Sequence, residues 1–173
     1  MPLEGKTVAI LAEDLFEDIE LLYPYYRLLE EGARVLVVGS SGTQTYHGKH
    51  GIPAQVDVQA SELDPATVDA VIVPGGYAPD RMRRHRDMLD LVRSVFDQGK
   101  LVASICHAPW VPISAGIVRG KRMTSVSSVR DDLVNAGAQW VDEEVVEDGN
   151  LISSRGPRDL PAFCRAIIRH LSR

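Results

Sequence analysis

Leu101-Val102-Ala103-Ser104-Ile105-Cys106-His107-Ala108-Pro109 is the stretch that decides the fold. Its first five residues form a short, nearly unbroken apolar run, the pattern of a parallel strand buried on both faces. The run ends on a cysteine and a histidine, and a helix is predicted from about 107 to 115. A strand that turns sharply into a helix at a nucleophile strains that residue's backbone and exposes its side chain. The helix N-terminus and the neighbouring imidazole then favour thiolate over thiol. A reactive Cys106 at the carboxyl edge of a sheet is the resulting expectation.

The same strand-then-helix alternation repeats on both sides. Thr7-Val8-Ala9-Ile10-Leu11-Ala12 is a second buried run. After a polar turn, Ile19, Leu22, Tyr26 and Leu29 follow at helical spacing. Pro24 should disturb that helix, and Gly32 should end it. Residues 34–39 read as a strand, and 43–58 as a small hairpin-like excursion. Ala70-Val71-Ile72-Val73-Pro74 is a further buried strand that runs into Gly75-Gly76. An amphipathic helix covers 88–96, closed by Gly99. Residues 131–136 and 160–171 read as helices, with short strands near 145–146 and 151–152. Such alternation predicts an α/β fold with a mostly parallel, doubly wound central sheet, and 173 residues suit one domain over 1–173.

Composition excludes several classes. The net charge is −5 and the basic residues are scattered, which argues against nucleic-acid binding. One local cluster, Arg81, Arg83, Arg84 and Arg86, reads as a solvated helix face or a subunit contact. No run approaches the ~18 apolar residues of a membrane helix. The start of the sequence shows no basic region leading into an apolar one, so no secretory signal is expected. Two cysteines, Cys106 and Cys164, make no disulfide framework and read as reduced thiols in a cytoplasmic setting.

In an open parallel sheet, ligands bind beyond the carboxyl ends of the strands. Cys106, Gly75-Gly76 and the acidic turn with Glu17 and Glu20 all fall at that edge. His107 serves either as general base or in a thiolate–imidazolium pair. A carboxylate that orients it comes from Asp80, Glu17 or Glu20. The amides of Gly75, Gly76 and His107 are candidates for an oxyanion hole. His47 and His50 lack further metal ligands, His85 and His170 read as surface residues, and Cys164 reads as core. No metal and no cofactor are expected.

Taken together, these motifs resemble the PfpI family of intracellular cysteine hydrolases, within the class I glutamine-amidotransferase-like superfamily. The similarity runs from Phe16-Glu17-Asp18-Ile19-Glu20 through Pro74-Gly75-Gly76, Ser104-Ile105-Cys106-His107 and Ile113-Ser114-Ala115-Gly116. It continues to Asn135-Ala136-Gly137-Ala138 and Asp159-Leu160-Pro161-Ala162-Phe163. The resemblance implies a flavodoxin-like three-layer sandwich, a Cys106 nucleophile beside His107, and a Glu20 that hydrogen-bonds the sulfur. It implies an oxyanion site at Gly76 and His107, and a third acid at Asp80 contributed by a neighbouring subunit of a homodimer or hexamer. Peptidase, glyoxalase and deglycase activities on small carbonyl or peptide substrates, in stress protection, are what it implies functionally. A redox-sensing or holdase role for an oxidisable Cys106 is the alternative. An amidotransferase glutaminase is excluded, because no His-x-Glu pair follows Cys106. Two positions depart from the family pattern: Asp80 is shorter than the glutamate of some members, and Ala108 stands where Gly is common.

Overall fold

The computed structural model describes residues 1–173. In chain order the elements are β1 (Thr7–Leu11), α1 (Asp18–Glu30), β2 (Arg34–Gly39), β3 (Thr45–His47), β4 (Pro53–Gln55) and β5 (Val58–Gln59). Next come β6 (Ala70–Val73), α2 (Ala78–Met82), α3 (Arg86–Asp97), β7 (Leu101–Ile105), α4 (Trp110–Ser114) and β8 (Arg122–Met123). The chain ends with α5 (Arg130–Asn135), β9 (Gln139–Trp140), β10 (Val146–Asp148), β11 (Leu151–Ser154) and α6 (Leu160–Leu171).

Seven strands form one sheet in the order β10-β11-β7-β6-β1-β2-β5. Every pairing is parallel except β10 with β11. The central strands β6, β7 and β11 are buried at every residue; β6 is apolar throughout, and Ser104 of β7 and Ser153 and Ser154 of β11 are buried with their apolar neighbours. On one face α1 packs against α6, and on the other α3 packs over β6 and β7 beside α4. The result is the expected three-layer α/β/α sandwich.

Several local expectations need correction. Pro24 does not break α1, which runs continuously from Asp18 to Glu30. Pro24 is buried on the helix's inner face, and packing there offsets a lost backbone bond that costs ~3 kcal/mol in an isolated helix. The hairpin forms as a separate ribbon of β3 and β4, but Val58 leaves it and joins the main sheet beside β2. A small parallel pair, β8 with β9, has no counterpart in the sequence reading, because two-residue strands carry no periodicity. The helix predicted from 107 begins only at Trp110. Residues 106–109 are turns, with Ala108 N–H bonded to the Ile105 carbonyl and Trp110 N–H to that of His107.

Candidate active site

Cys106 leaves β7 with φ of 63°, in the left-handed region that non-glycine residues avoid. Such a backbone costs about 1–3 kcal/mol and persists only where its surroundings hold it. Here the Cys106 N–H donates to the Ser154 carbonyl at 3.1 Å, and its carbonyl accepts from Val126 N–H at 3.1 Å. The elbow predicted from sequence is therefore present, pinned from both sides.

Gly75 and Gly76 come from the loop after β6. A Cβ at Gly76 would fall 2.4 Å from the Glu17 nitrogen and 2.5 Å from the Leu15 carbonyl, and φ is +80°. A Cβ at Gly75 would sit 2.6 Å from Glu20 Oε2 and 2.8 Å from Cys106 Cβ. Only glycine fits either place. Glu17 N–H donates to the Gly75 carbonyl and Tyr77 N–H to that of Leu15, which knits this loop to the turn after β1. The Gly76 and His107 amides both face the sulfur. The Gly75 amide does not, because it donates to Glu20 Oε2 at 2.7 Å, so Gly75 drops out of the candidate oxyanion hole.

Glu20 has no exposed surface. Its Oε1 has no hydrogen-bond partner within the chain, and the carboxyl lies close enough to the Cys106 thiol for the two to influence each other. Burial, with help from the nearby Glu17 charge, pushes the Glu20 carboxyl up to about 8. At neutral pH it therefore keeps its proton. Burial also pushes the Cys106 thiol up, to about 12, and an ionised Glu20 adds to the rise, while the two amides oppose it. Burial thus works against the resting thiolate expected from the sequence, and the two amides work for it. The helix meant to favour it starts too late and is five residues long.

His107 Nδ1 lies 3.2 Å from Cys106 Sγ. Burial and then the Lys49 charge lower its pKa below the ordinary value, so the imidazole is neutral at pH 7 and free to accept a proton. On its other side, Nε2 lies 3.4 Å from Ser128 Oγ. Trp110 packs against the ring at a centroid distance of 5.4 Å, and its indole N–H donates to Asp132 at 2.9 Å. No carboxylate of the same chain orients His107. Asp80 is exposed and paired with Arg84 at 2.6 Å. Glu17 is paired with Lys49 at 2.8 Å. Glu17 and Glu20 are close, yet only Glu20 is coupled to the Cys106 thiol.

Other side chains also fall in unforeseen places. His50 approaches Glu17 and Asp18, but the Asp18 oxygens accept the His50 and Ile52 amides and Glu17 holds Lys49. His85 is no free surface residue: Nε2 lies 2.7 Å from an oxygen of the buried Glu13. Within the arginine cluster, Arg84 and Arg86 pair with Asp80 and Asp90, and Arg83 bonds Ser114. Cys164 is buried in the core as expected. Ser128, Lys49 and the Glu13–His85 pair were missed because nothing in their local sequence marks them.

A family model described as DJ-1/PfpI matches residues 6–170. The chain belongs to the DJ-1/PfpI family. A deglycase of Pyrococcus abyssi is 49% identical over 95% of this chain and 98% of its own length. The protein/nucleic acid deglycase 2 of Escherichia coli is 38% identical, over 96% of this chain and 98% of its own. A solved two-domain protein of Anabaena variabilis, with DJ-1/ThiJ/PfpI-like and ferritin-like domains, superposes with a TM-score of 0.94. It is 44% identical and covers 96% of this chain, which spans 48% of that protein's length. For a DJ-1/PfpI chain, then, the sheet, the elbow and the glycine pair form one continuous pattern.

Proposed function

We propose that this chain is a cysteine-dependent enzyme of the deglycase or hydrolase type, acting on carbonyl carbons. The observation that carries the reading is the 3.2 Å contact between Cys106 Sγ and a neutral His107 at a strained elbow ringed by two amides. The names of its deglycase relatives support the same class.

In this reading the resting site holds a thiol, a neutral imidazole and a protonated Glu20. His107 Nδ1 takes the thiol proton as Sγ adds to the carbonyl carbon, so no thiolate need persist at rest. The oxyanion forms next to the Gly76 and His107 amides. With a 2-oxoaldehyde, addition gives a hemithioacetal. His107 then moves the proton from C1 to C2, and the resulting thioester is hydrolysed to a 2-hydroxy acid. With an amine adduct of the same dicarbonyl, the amine leaves and the acid is again released. Glu20 holds the sulfur by its O–H and keeps the attacking atom in place.

The redox-sensor reading would use the same thiol as an oxidisable group. The enzymatic reading stands first because the similar proteins carry deglycase names. Cys106→Ala should abolish release of the 2-hydroxy acid from methylglyoxal and from a methylglyoxal-treated peptide. Full activity in that variant would refute the mechanism. Confinement of mild peroxide oxidation to Cys106 with no turnover in the intact protein would favour the sensor.

We further infer a homodimer. Ile19, Tyr26 and Leu29 on α1, with Ile52 beside β4, are exposed apolar side chains, and Ile19 and Tyr26 line one shallow depression. Asp80 is not engaged with its own His107, in keeping with a role across that interface. A cytoplasmic location accords with two unpaired cysteines.

A further inference from the structure

Cys106 opens onto a cavity of about 490 Å³, whose opposite wall is the turn after β11: Arg155, Gly156, Pro157, Arg158 and Asp159. The charges in this wall are not equivalent. Arg155 is saturated, with its guanidinium on Asp159 at 2.9 and 3.0 Å and on Asp142 at 3.0 Å. Its main-chain N–H also donates to Asp159 at 3.0 Å. Asp159 is buried and fully occupied by these bonds, so its negative charge is neutralised inside the wall. Arg158 is exposed, lines the same cavity, and enters no ion pair. At Gly156 an added Cβ would meet nothing within 4 Å, so the backbone there borders open space. The Gly156 N–H donates to no group of the chain. The cavity thus sets one unpaired guanidinium and one unpaired amide across from the nucleophile. On the Cys106 side, the buried Glu20 keeps its proton and adds no countercharge at neutral pH.

We propose that Arg158, with the Gly156 amide, forms an anion subsite in the Cys106 cavity, so that the preferred substrates are carbonyl compounds that carry a carboxylate or phosphate group. The proposal rests on the reading of Cys106 as the nucleophile. A guanidinium offers a planar fork of donors that fits either anion, and an adjacent amide completes a third contact. Val126 supplies the apolar part of the same wall and suits the carbon skeleton between the reacting carbonyl and the anion. The product of the dicarbonyl reaction is itself a carboxylate, so the subsite also holds product.

The test compares two nearly isosteric alkylating agents at Cys106, iodoacetate and iodoacetamide, each rate normalised to that with 2-mercaptoethanol and followed by intact mass. In the native protein the normalised iodoacetate/iodoacetamide ratio should exceed that of Arg158→Ala by about five-fold, the size of an exposed ion pair. Arg158→Lys should keep most of the preference, since it retains the charge. A ratio unchanged in Arg158→Ala overturns the subsite. Acetate and inorganic phosphate serve as competitors: the one that slows iodoacetate at lower concentration identifies the anion class, and protection by neither also overturns it. Turnover is scored separately on methylglyoxal. If turnover is absent while the ratio still falls in Arg158→Ala, the catalytic reading fails and the subsite stands. If turnover is present and the ratio does not move, the subsite alone fails.

Discussion

At Cys106 the apolar run and the elbow were legible in the sequence, whereas the surroundings that govern the thiol's proton were not. An apolar run that stops at a cysteine is visible in one dimension, and so is the following histidine. The fate of the proton is not, because it depends on Glu20, whose burial is fixed by the β1 turn folding against the glycine loop. Glu20→Gln tests this directly. Its amide can accept from Gly75 N–H, as the acid does, and it cannot ionise. In the native protein, unfolding lets Glu20 ionise near 4.5, whereas the folded chain holds its proton up to about 8. The unfolded state therefore binds fewer protons across that window, and stability falls as pH rises through it. The loss is up to about 1.4 kcal/mol per pH unit. Glu20→Gln should lack this slope, so its melting temperature relative to the native protein should climb from pH 5 to pH 8. The pH midpoint of Cys106 alkylation should also move down, because no neighbouring carboxylate can ionise. A parallel pH dependence of stability in both proteins would refute the assignment.

Among the elements, those with strong periodicity were legible and those set by pairing were not. Residues 160–171 read as a helix and are one, with Leu160, Phe163, Cys164, Ile167 and Leu171 turned inward. The edge strand Val58–Gln59 was invisible, since its two residues become a strand only by pairing with Val38 and Gly39. The same holds for the turns that build the site. The turn after β1 is held to the start of α3 by Glu13 and His85, at 2.7 Å, and the carboxylate is buried. The Glu13 carboxylate otherwise has only the Asp14 N–H within the chain. His85→Ala should therefore cost about 1–3 kcal/mol by stranding a buried acid. Adding Glu13→Gln to that variant should recover part of the loss, because the stranded group is then neutral. Chemical denaturation of the two single variants and the double variant measures the coupling. Simple additivity would show that the pair carries no such clasp.

For the molecule as a whole, the question is whether one chain contains a complete site. Within the chain His107 Nε2 finds only Ser128 Oγ, at 3.4 Å, a long contact to an exposed hydroxyl. Asp80 lies on α2, half-exposed and held by Arg84. A base works better with a carboxylate behind it, and a second copy docked on the apolar α1 face is the candidate source. Mixing inactive subunits separates the two cases. A dimer with one Cys106→Ala chain and one Asp80→Asn chain contains one site built from a native Cys106, a native His107 and the other chain's native Asp80. If the acid acts across the interface, refolding the two variants together should restore turnover to roughly a quarter of the native level per subunit: half the dimers are mixed, and each has one of two sites complete. If Asp80 acts within its own chain, no site in the mixture is complete and activity stays at the level of the variants alone. Tyr26→Glu, on the exposed face of α1, should then lower activity and apparent mass together in sedimentation, while a chain that is self-sufficient would lose mass and keep its rate.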